Sequence, residues 1–290
     1  MNKLPLPEVD DINAIRSVAD NHRLRSFPHL KPIVNDLHAG YVQYRLVGGD
    51  AETIVPMALE EAVRGFLRGH YDSPPAALSF ILRMRNEDQQ RICPMCGSKH
   101  RYTLDHLLPK EDYPEFAIYS ANLVPACKCN TDRGQTVRGN AAGERVLHPY
   151  FDECMSGRLI AARFDNLGLI PRISLRILLD PRHRDYAAVT FHVRTVVEKG
   201  AILGRIKDCW VDLCRLPKLK IRALEQIPQS VVRLREILEH ELAMVDEENR
   251  GKNSWDSAFI AGLLDVDVTQ WLFERLTAPG RTPNDPLTTI

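Results

Sequence analysis

The sequence predicts an α+β fold that is mainly helical, and three observations carry that expectation. Apolar residues recur at three-and-four spacing over the first 85 residues and again beyond residue 200. Short alternating stretches lie between residues 158 and 197. Two cysteine pairs enclose an Asp-His dipeptide in the middle of the chain. With 290 residues, 44% hydrophobic and 26% charged, the chain has the composition of an ordinary globular protein and the length for two or three compact units.

Residues 9–85 read as a helical region. Ile12, Ile15 and Val18 fall on one face, Leu59, Val63, Phe66 and Leu67 on another, and Ala77, Phe80, Ile81 and Met84 on a third. Gly48-Gly49-Asp50 and Asp72-Ser73-Pro74-Pro75 interrupt the pattern as loops. Past the second cysteine pair, Gly134, Gly139 and Gly143 mark a loop that ends at Val146-Leu147-His148-Pro149-Tyr150, which places a boundary near 150. The expected units are therefore 1–85, 86–150 and 151–290. In the last unit, residues 158–164, 173–179 and 187–197 read as three short strands, the third from the alternation of Val189, Phe191 and Val193. Helices follow at 202–213, 229–248 (an apolar stripe of Val231, Leu234, Leu238, Leu242 and Val245, with Pro228 at its start), 255–264 and 268–276.

Formal net charge is zero, so no global field points to an acidic partner. The charges are unevenly spread: residues 158–235 hold 16 Lys or Arg against 7 Asp or Glu, and residues 236–274 hold 2 against 10. The basic middle suits either a phosphate-binding face or plain solvated helix surfaces. No apolar run approaches the ~20 residues a membrane span requires. The start Met1-Asn2-Lys3-Leu4-Pro5 lacks the apolar stretch of a secretory signal, so a cytoplasmic location without a membrane partner is expected. Seven cysteines, three of them scattered (Cys154, Cys209, Cys214), argue against a disulfide framework and for reduced thiols on a metal.

The chemistry concentrates between residues 93 and 130. Cys93-Pro94-Met95-Cys96 has the spacing of a zinc knuckle, and Cys127-Lys128-Cys129 supplies two more sulfurs with a one-residue gap; together they suit a tetrahedral structural zinc, with His100 as a substitute ligand. Between them stand Asp105 and His106. An imidazole is matched to taking a proton from water at neutral pH, and a carboxylate beside it holds a hard divalent cation. Neighbours on a regular strand point to opposite faces, so both serve one site only where the strand runs out, and Pro109 supplies that break. An N-cap Asp followed by a surface His is the plainer reading of the dipeptide alone; the cysteine frame decides against it. Asn130 can offer an amide oxygen to the same cation, whereas Asn122 suits pinning the loop to backbone. Lys110 and Arg133 are near enough in sequence to contact phosphate. His148 suits capping or packing better than an extra ligand.

These residues, from 91 to about 135, resemble the HNH endonucleases, the ββα-metal nucleases in which a two-stranded ribbon and a helix grip one catalytic cation. The resemblance implies that His106 is the general base, that Asp105 and Asn130 hold Mg²⁺ or Mn²⁺, that Asn122 braces the loop, and that the cysteine quartet carries a structural Zn²⁺. It further implies DNA as substrate, with RNA open, and products with 5′-phosphate and 3′-hydroxyl ends. Two departures stand out: the short Cys127–Cys129 spacing, and Arg133-Gly134 where many members carry a second metal-binding His. The phrases His106-Leu107-Leu108-Pro109-Lys110, Tyr113-Pro114-Glu115 and Leu147-His148-Pro149-Tyr150 are also similar to HNH proteins of bacterial anti-phage defence, including those of Septu-type systems. That likeness implies an ATPase or another defence-system protein as partner. A zinc module that binds nucleic acid or a protein without cutting is the competing expectation, and a set of Asp105, His106 and Asn130 exceeds what a pure binder needs.

Overall fold

The computed structural model describes residues 1–86, 91–99 and 103–288. Helices α1 (Asp11–Asp20), α2 (Val34–Leu46), α3 (Glu61–Asp72) and α4 (Ser79–Asn86) form the first part of the chain. The Asp10 side chain accepts from the Asn13 amide at 3.0 Å and caps α1, which turns Ile15 and Val18 inward. In α3, Val63, Leu67 and Tyr71 recur at four-residue intervals and make the buried face.

Two strands follow, β1 (Thr103–His106) and β2 (Leu123–Ala126), paired antiparallel with His106 opposite Leu123. The short helix α5 (Cys129–Arg133) comes directly after, and Gly134 ends it at φ 66°. A second antiparallel pair, β3 (Ile160–Asp165) and β4 (Arg172–Ile177), turns through Asn166 at φ 58°.

The stretch expected as a third strand is instead helix α6 (Tyr186–His192), which continues into a π-helical turn at Val193–Val197. Ala188, Val189, Phe191, His192, Val193, Thr195, Val196 and Val197 are all buried. A segment enclosed on most sides has no polar face to mark a 3.6-residue period, and its β-branched residues then imitate a buried strand.

Helices α7 (Ile202–Arg215), α8 (Val231–Asn249), α9 (Trp255–Leu263) and α10 (Val266–Leu276) complete the chain. Helix α8 begins at the Ser230 cap, which accepts from the Arg233 amide at 3.1 Å, two residues beyond the Pro228 start the sequence suggests. Helix α9 is buried along almost its whole length and closes on β3 at Gly262, where a Cβ would lie 2.5 Å from the Ala162 carbonyl oxygen.

One contiguous apolar core runs from Leu4 and Ile15 through Leu107 and Leu123 to Phe259 and Leu272. The charge asymmetry of the sequence folds back on itself. Arg158 pairs with Asp246, Arg176 with Asp265, Arg205 with Asp256, Arg233 with Glu236 and Arg235 with Glu239, so part of the basic middle is answered by the acidic segment that follows. That pairing favours the solvated-surface reading over a continuous phosphate-binding face. Among the described residues no helix is long and apolar enough to cross a membrane.

Candidate active site and metal centre

Cys93, Cys96, Cys127 and Cys129 are all buried, and their sulfurs lie within 4.8 Å of one another. Cys93 Sγ is 3.7 Å from Cys129 Sγ, and Cys96 Sγ is 3.5 Å from Cys127 Sγ. Sulfurs bound at about 2.3 Å to one tetrahedral ion stand about 3.8 Å apart, so the cluster has the dimensions to hold a structural metal such as zinc. The short Cys127–Cys129 gap is accommodated because β2 ends at Ala126 and α5 starts at Cys129, which bends the chain between the two sulfurs.

The first knuckle closes through Cys93 N to Ser98 O at 2.7 Å and Gly97 N to Cys93 O at 2.8 Å. Gly97 takes φ 82°, and a Cβ there would stand 2.1 Å from the Asn253 carbonyl oxygen. Backbone amides of Cys127 and Cys129 point at the sulfurs of Cys93 and Cys127, each at 3.4 Å. His100 lies outside the described residues.

Distant parts of the chain clamp the knuckle. His192, fully buried on α6, donates from Nε2 to Met95 O at 2.7 Å, and its Nδ1 accepts from the Leu147 amide at 3.0 Å. Trp255 Nε1 donates to Cys96 O at 2.8 Å.

His106 is the last residue of β1, and the Asp105 side chain curls back so that its Oδ1 accepts from the His106 amide at 2.8 Å. Both side chains thereby face one place, which regular strand alternation would forbid. His106 Nε2 lies 2.8 Å from the Ala117 carbonyl oxygen. A carbonyl only accepts, so Nε2 carries the proton and Nδ1 is bare in the neutral ring. Nδ1 stands 3.8 Å from Asp105 Oδ1, too long for a hydrogen bond and an ion pair only when the ring is protonated. The His106 side chain is only 4% exposed, whereas that of Asp105 is 32% exposed, so of the pair it is the carboxylate that meets solvent. Burial pushes the Asp105 carboxyl up, but the His106 ring when it is protonated, the Asn130 amide and the His106 backbone N–H hold it below the usual carboxylate range.

Asn122 is fully buried, and its amide is saturated by the loop it faces. Oδ1 accepts from Leu108 N at 2.8 Å and from Tyr44 Oη at 2.9 Å, and Nδ2 donates to Leu108 O at 3.0 Å and Phe116 O at 3.2 Å. These bonds fix residues 108–116 and, with them, the Ala117 carbonyl that orients His106. His148 is also fully buried, with Nε2 3.1 Å from Tyr44 Oη, which makes it part of the packing behind Asn122 and places it away from solvent.

Two assignments from the sequence change. Arg133 is 2% exposed and spends its guanidinium on the interior, so it is no phosphate contact. Its Nε and Nη2 donate to Asn130 Oδ1 at 3.2 and 2.8 Å, Nη2 also to Leu107 O at 3.1 Å, and Nη1 to Thr136 O at 3.2 Å. The Asn130 amide oxygen, expected on a cation, is therefore taken by Arg133, while Asn130 Nδ2 donates to His106 O at 3.1 Å. Among the described residues no second group of three His, Cys, Asp or Glu converges as the cysteines do. Mg²⁺ keeps several waters and is commonly held by one or two carboxylates plus substrate phosphate. By that criterion the Asp105 carboxylate fits a hard cation, and the Asn130 oxygen does not.

Lys110 keeps its place near the site. Its Nζ is 2.8 Å from Asp72 Oδ1 and 4.9 Å from the centre of the Tyr71 ring. The sequence reading overlooks Tyr71. This residue stands edge-on to the His106 ring with centroids 4.2 Å apart, donates its hydroxyl to Leu104 O, and carries the Arg85 guanidinium 4.5 Å from its centre. The available signal was Tyr71 in register with Val63 and Leu67, an apolar stripe that ends on a residue with a polar tip.

Comparison with known proteins finds a short likeness. The chain is 39% identical over 64 residues to Protein ea31 of Escherichia phage lambda, a stretch that covers 21% of each protein. The chain thus spans about a fifth of the length of that curated relative. No family description matches the chain, and no solved structure does.

Proposed function

We propose that the chain is an HNH-type endonuclease that hydrolyses phosphodiester bonds in DNA, with β1, β2 and α5 as its ββα module and Zn²⁺ in the sulfur cluster. One observation carries the reading: the bond from His106 Nε2 to Ala117 O leaves Nδ1 bare, beside a partly exposed carboxylate, at the end of a strand. His106 takes a proton from water at Nδ1, and the Ala117 carbonyl keeps the resulting imidazolium in place. Asp105 would hold the divalent cation, Mg²⁺ or Mn²⁺, which when bound supplies charge stabilisation at the phosphate and the leaving 3′ oxygen. Lys110 and Arg85, both over the Tyr71 ring, put positive charge near the same edge, where a backbone phosphate needs it. The setting in anti-phage defence, with an ATPase or another protein as partner, rests on the sequence phrases alone.

Purified full-length protein incubated with supercoiled plasmid, single-stranded DNA and RNA in Mg²⁺ or Mn²⁺ tests the reading. Nicked or linear plasmid with 5′-phosphate ends, lost in His106→Ala, is expected. Cleavage of RNA alone would move the substrate class. Binding of plasmid with no cleavage in either metal would favour the zinc module that binds without cutting.

A further inference from the structure

The contact between Arg133 and Asn130 has a chemical consequence for how the site meets a cation. A guanidinium can only donate, and two of its N–H groups aim at one side-chain atom of Asn130, at 3.2 and 2.8 Å. That atom must be the amide oxygen, since the alternative would set an NH2 against two donors. The opposite end of the amide is then an NH2, which donates to His106 O at 3.1 Å and so ties Asn130 to the residue next to Asp105. The guanidinium is itself held by the Leu107 and Thr136 carbonyls and is almost wholly buried. Rotating Asn130 to expose its oxygen would leave the buried Arg133 fork and the His106 carbonyl both short of a partner.

We propose that Arg133 is a positioning residue that locks Asn130 as a donor, so that a divalent cation at this site has Asp105 as its one protein ligand from this pair. The inference rests on the HNH reading for the cation and departs from it on who binds that cation. Asn130 orients Asp105 and the end of β1, and the remaining positions around the ion belong to water and to substrate phosphate.

Binding of Mn²⁺ to the full-length chain without nucleic acid, followed by electron paramagnetic resonance, separates the two roles without any activity readout. Asp105→Asn is expected to abolish Mn²⁺ binding, whereas Asn130→Ala, which removes a support and no ligand, is expected to weaken it by about 10–100-fold and leave binding measurable. A loss in Asn130→Ala as large as that in Asp105→Asn overturns the proposal, and so does wild-type protein that binds no Mn²⁺ above an Asp105→Asn background. Should Asn130→Ala fail to fold, the wild-type chain still decides. In a Mg²⁺ titration by NMR the Arg133 Nε–H signal should persist unshifted while the Asp105 carboxyl signal moves; a shift or loss of the Arg133 signal contradicts the lock. Nicking that persists in a chain whose Asn130 binds Mn²⁺ would sink this inference and leave the nuclease reading standing.

Discussion

The sulfur cluster and the His106 centre lie in the same short stretch of chain and are built in opposite ways. Every sulfur is buried, the backbone amides of Cys127 and Cys129 point inward, and the carbonyls of the knuckle are capped by His192 and Trp255 from far along the chain. The His106 centre has one ring nitrogen tied to Ala117 O, the other bare, and a carboxylate one-third exposed. Structural metal sites are closed on all sides and catalytic ones keep a position open; on the proposed reading the chain sets one of each kind beside the other. What the difference teaches is a division of labour: the closed centre fixes α5 and β2, and through Arg133 and Asn130 that rigidity reaches the end of β1 where the open centre sits.

The largest effect is expected from breaking the closed side. Structural zinc contributes on the order of 10 kcal/mol to folding in small zinc modules. Cys96→Ser should therefore drop the metal content from about one zinc per chain to none, and amide exchange over residues 91–135 should lose its protection. Retained protection with no zinc would show that the cysteines pack as plain thiols.

Next comes the brace of the open side. Asn122→Ala leaves the buried Leu108 amide and carbonyl unpaired, each worth about 1–3 kcal/mol, while Phe116 O keeps the Tyr119 amide and Tyr44 Oη keeps His148, so a loss of at least about 2 kcal/mol in denaturant unfolding is expected with zinc content unchanged. Loss of zinc in this variant would mean that the two centres are one cooperative unit.

Two buried groups around the brace give opposite pH signatures. Burial holds the His148 pKa down to about 3, below its unfolded value, so the stability it contributes is full above about pH 6.5 and is lost as pH falls; going from pH 7 to 5 should cost about 2 kcal/mol through this residue. Unfolding curves of the wild type and of His148→Gln at the two pH values check it, since the variant should lose that part of the slope. Asp11 has the reverse sign. Burial pushes its carboxyl up to about 6 despite bonds from the Ser120 amide and hydroxyl, so its contribution is full below about pH 3.8 and is lost as pH rises through 6. A shift of that size is worth at most about 3 kcal/mol. Asp11→Asn, which keeps part of the Ser120 contact, is expected to raise stability by about 1–2 kcal/mol at pH 7.5 and by little at pH 4.5. Equal gains at both pH values would contradict the buried-charge account.

The parts of this arrangement that were legible in the sequence are the ones written locally. Cys93 and Cys96 sit on one knuckle, Asp105 and His106 are adjacent, and Asn122 lies close enough along the chain to face the loop it pins. Helices with one wet face, such as α3 and α8, announce themselves by period. Segment 186–197 does not, because a stretch buried on most sides has no polar face to reveal its turn, and its Val and Thr residues read as strand. Arg133 misleads for a related reason: charge in a sequence suggests surface, and nothing local shows that five interior hydrogen bonds await it. Tyr71 and His192 reach the two centres from distant helices, and only tertiary packing reveals such partners.

On the proposed reading, the bare His106 Nδ1 takes the proton from water in phosphodiester hydrolysis. Single-turnover cleavage of an end-labelled duplex by His106→Ala, with and without added imidazole, tests it most directly. The account predicts a fall of about 10²–10⁴ in rate, the usual worth of a general base, and partial recovery when imidazole fills the space of the missing ring. An undiminished rate in a His106→Ala protein that keeps its zinc and its fold would contradict it.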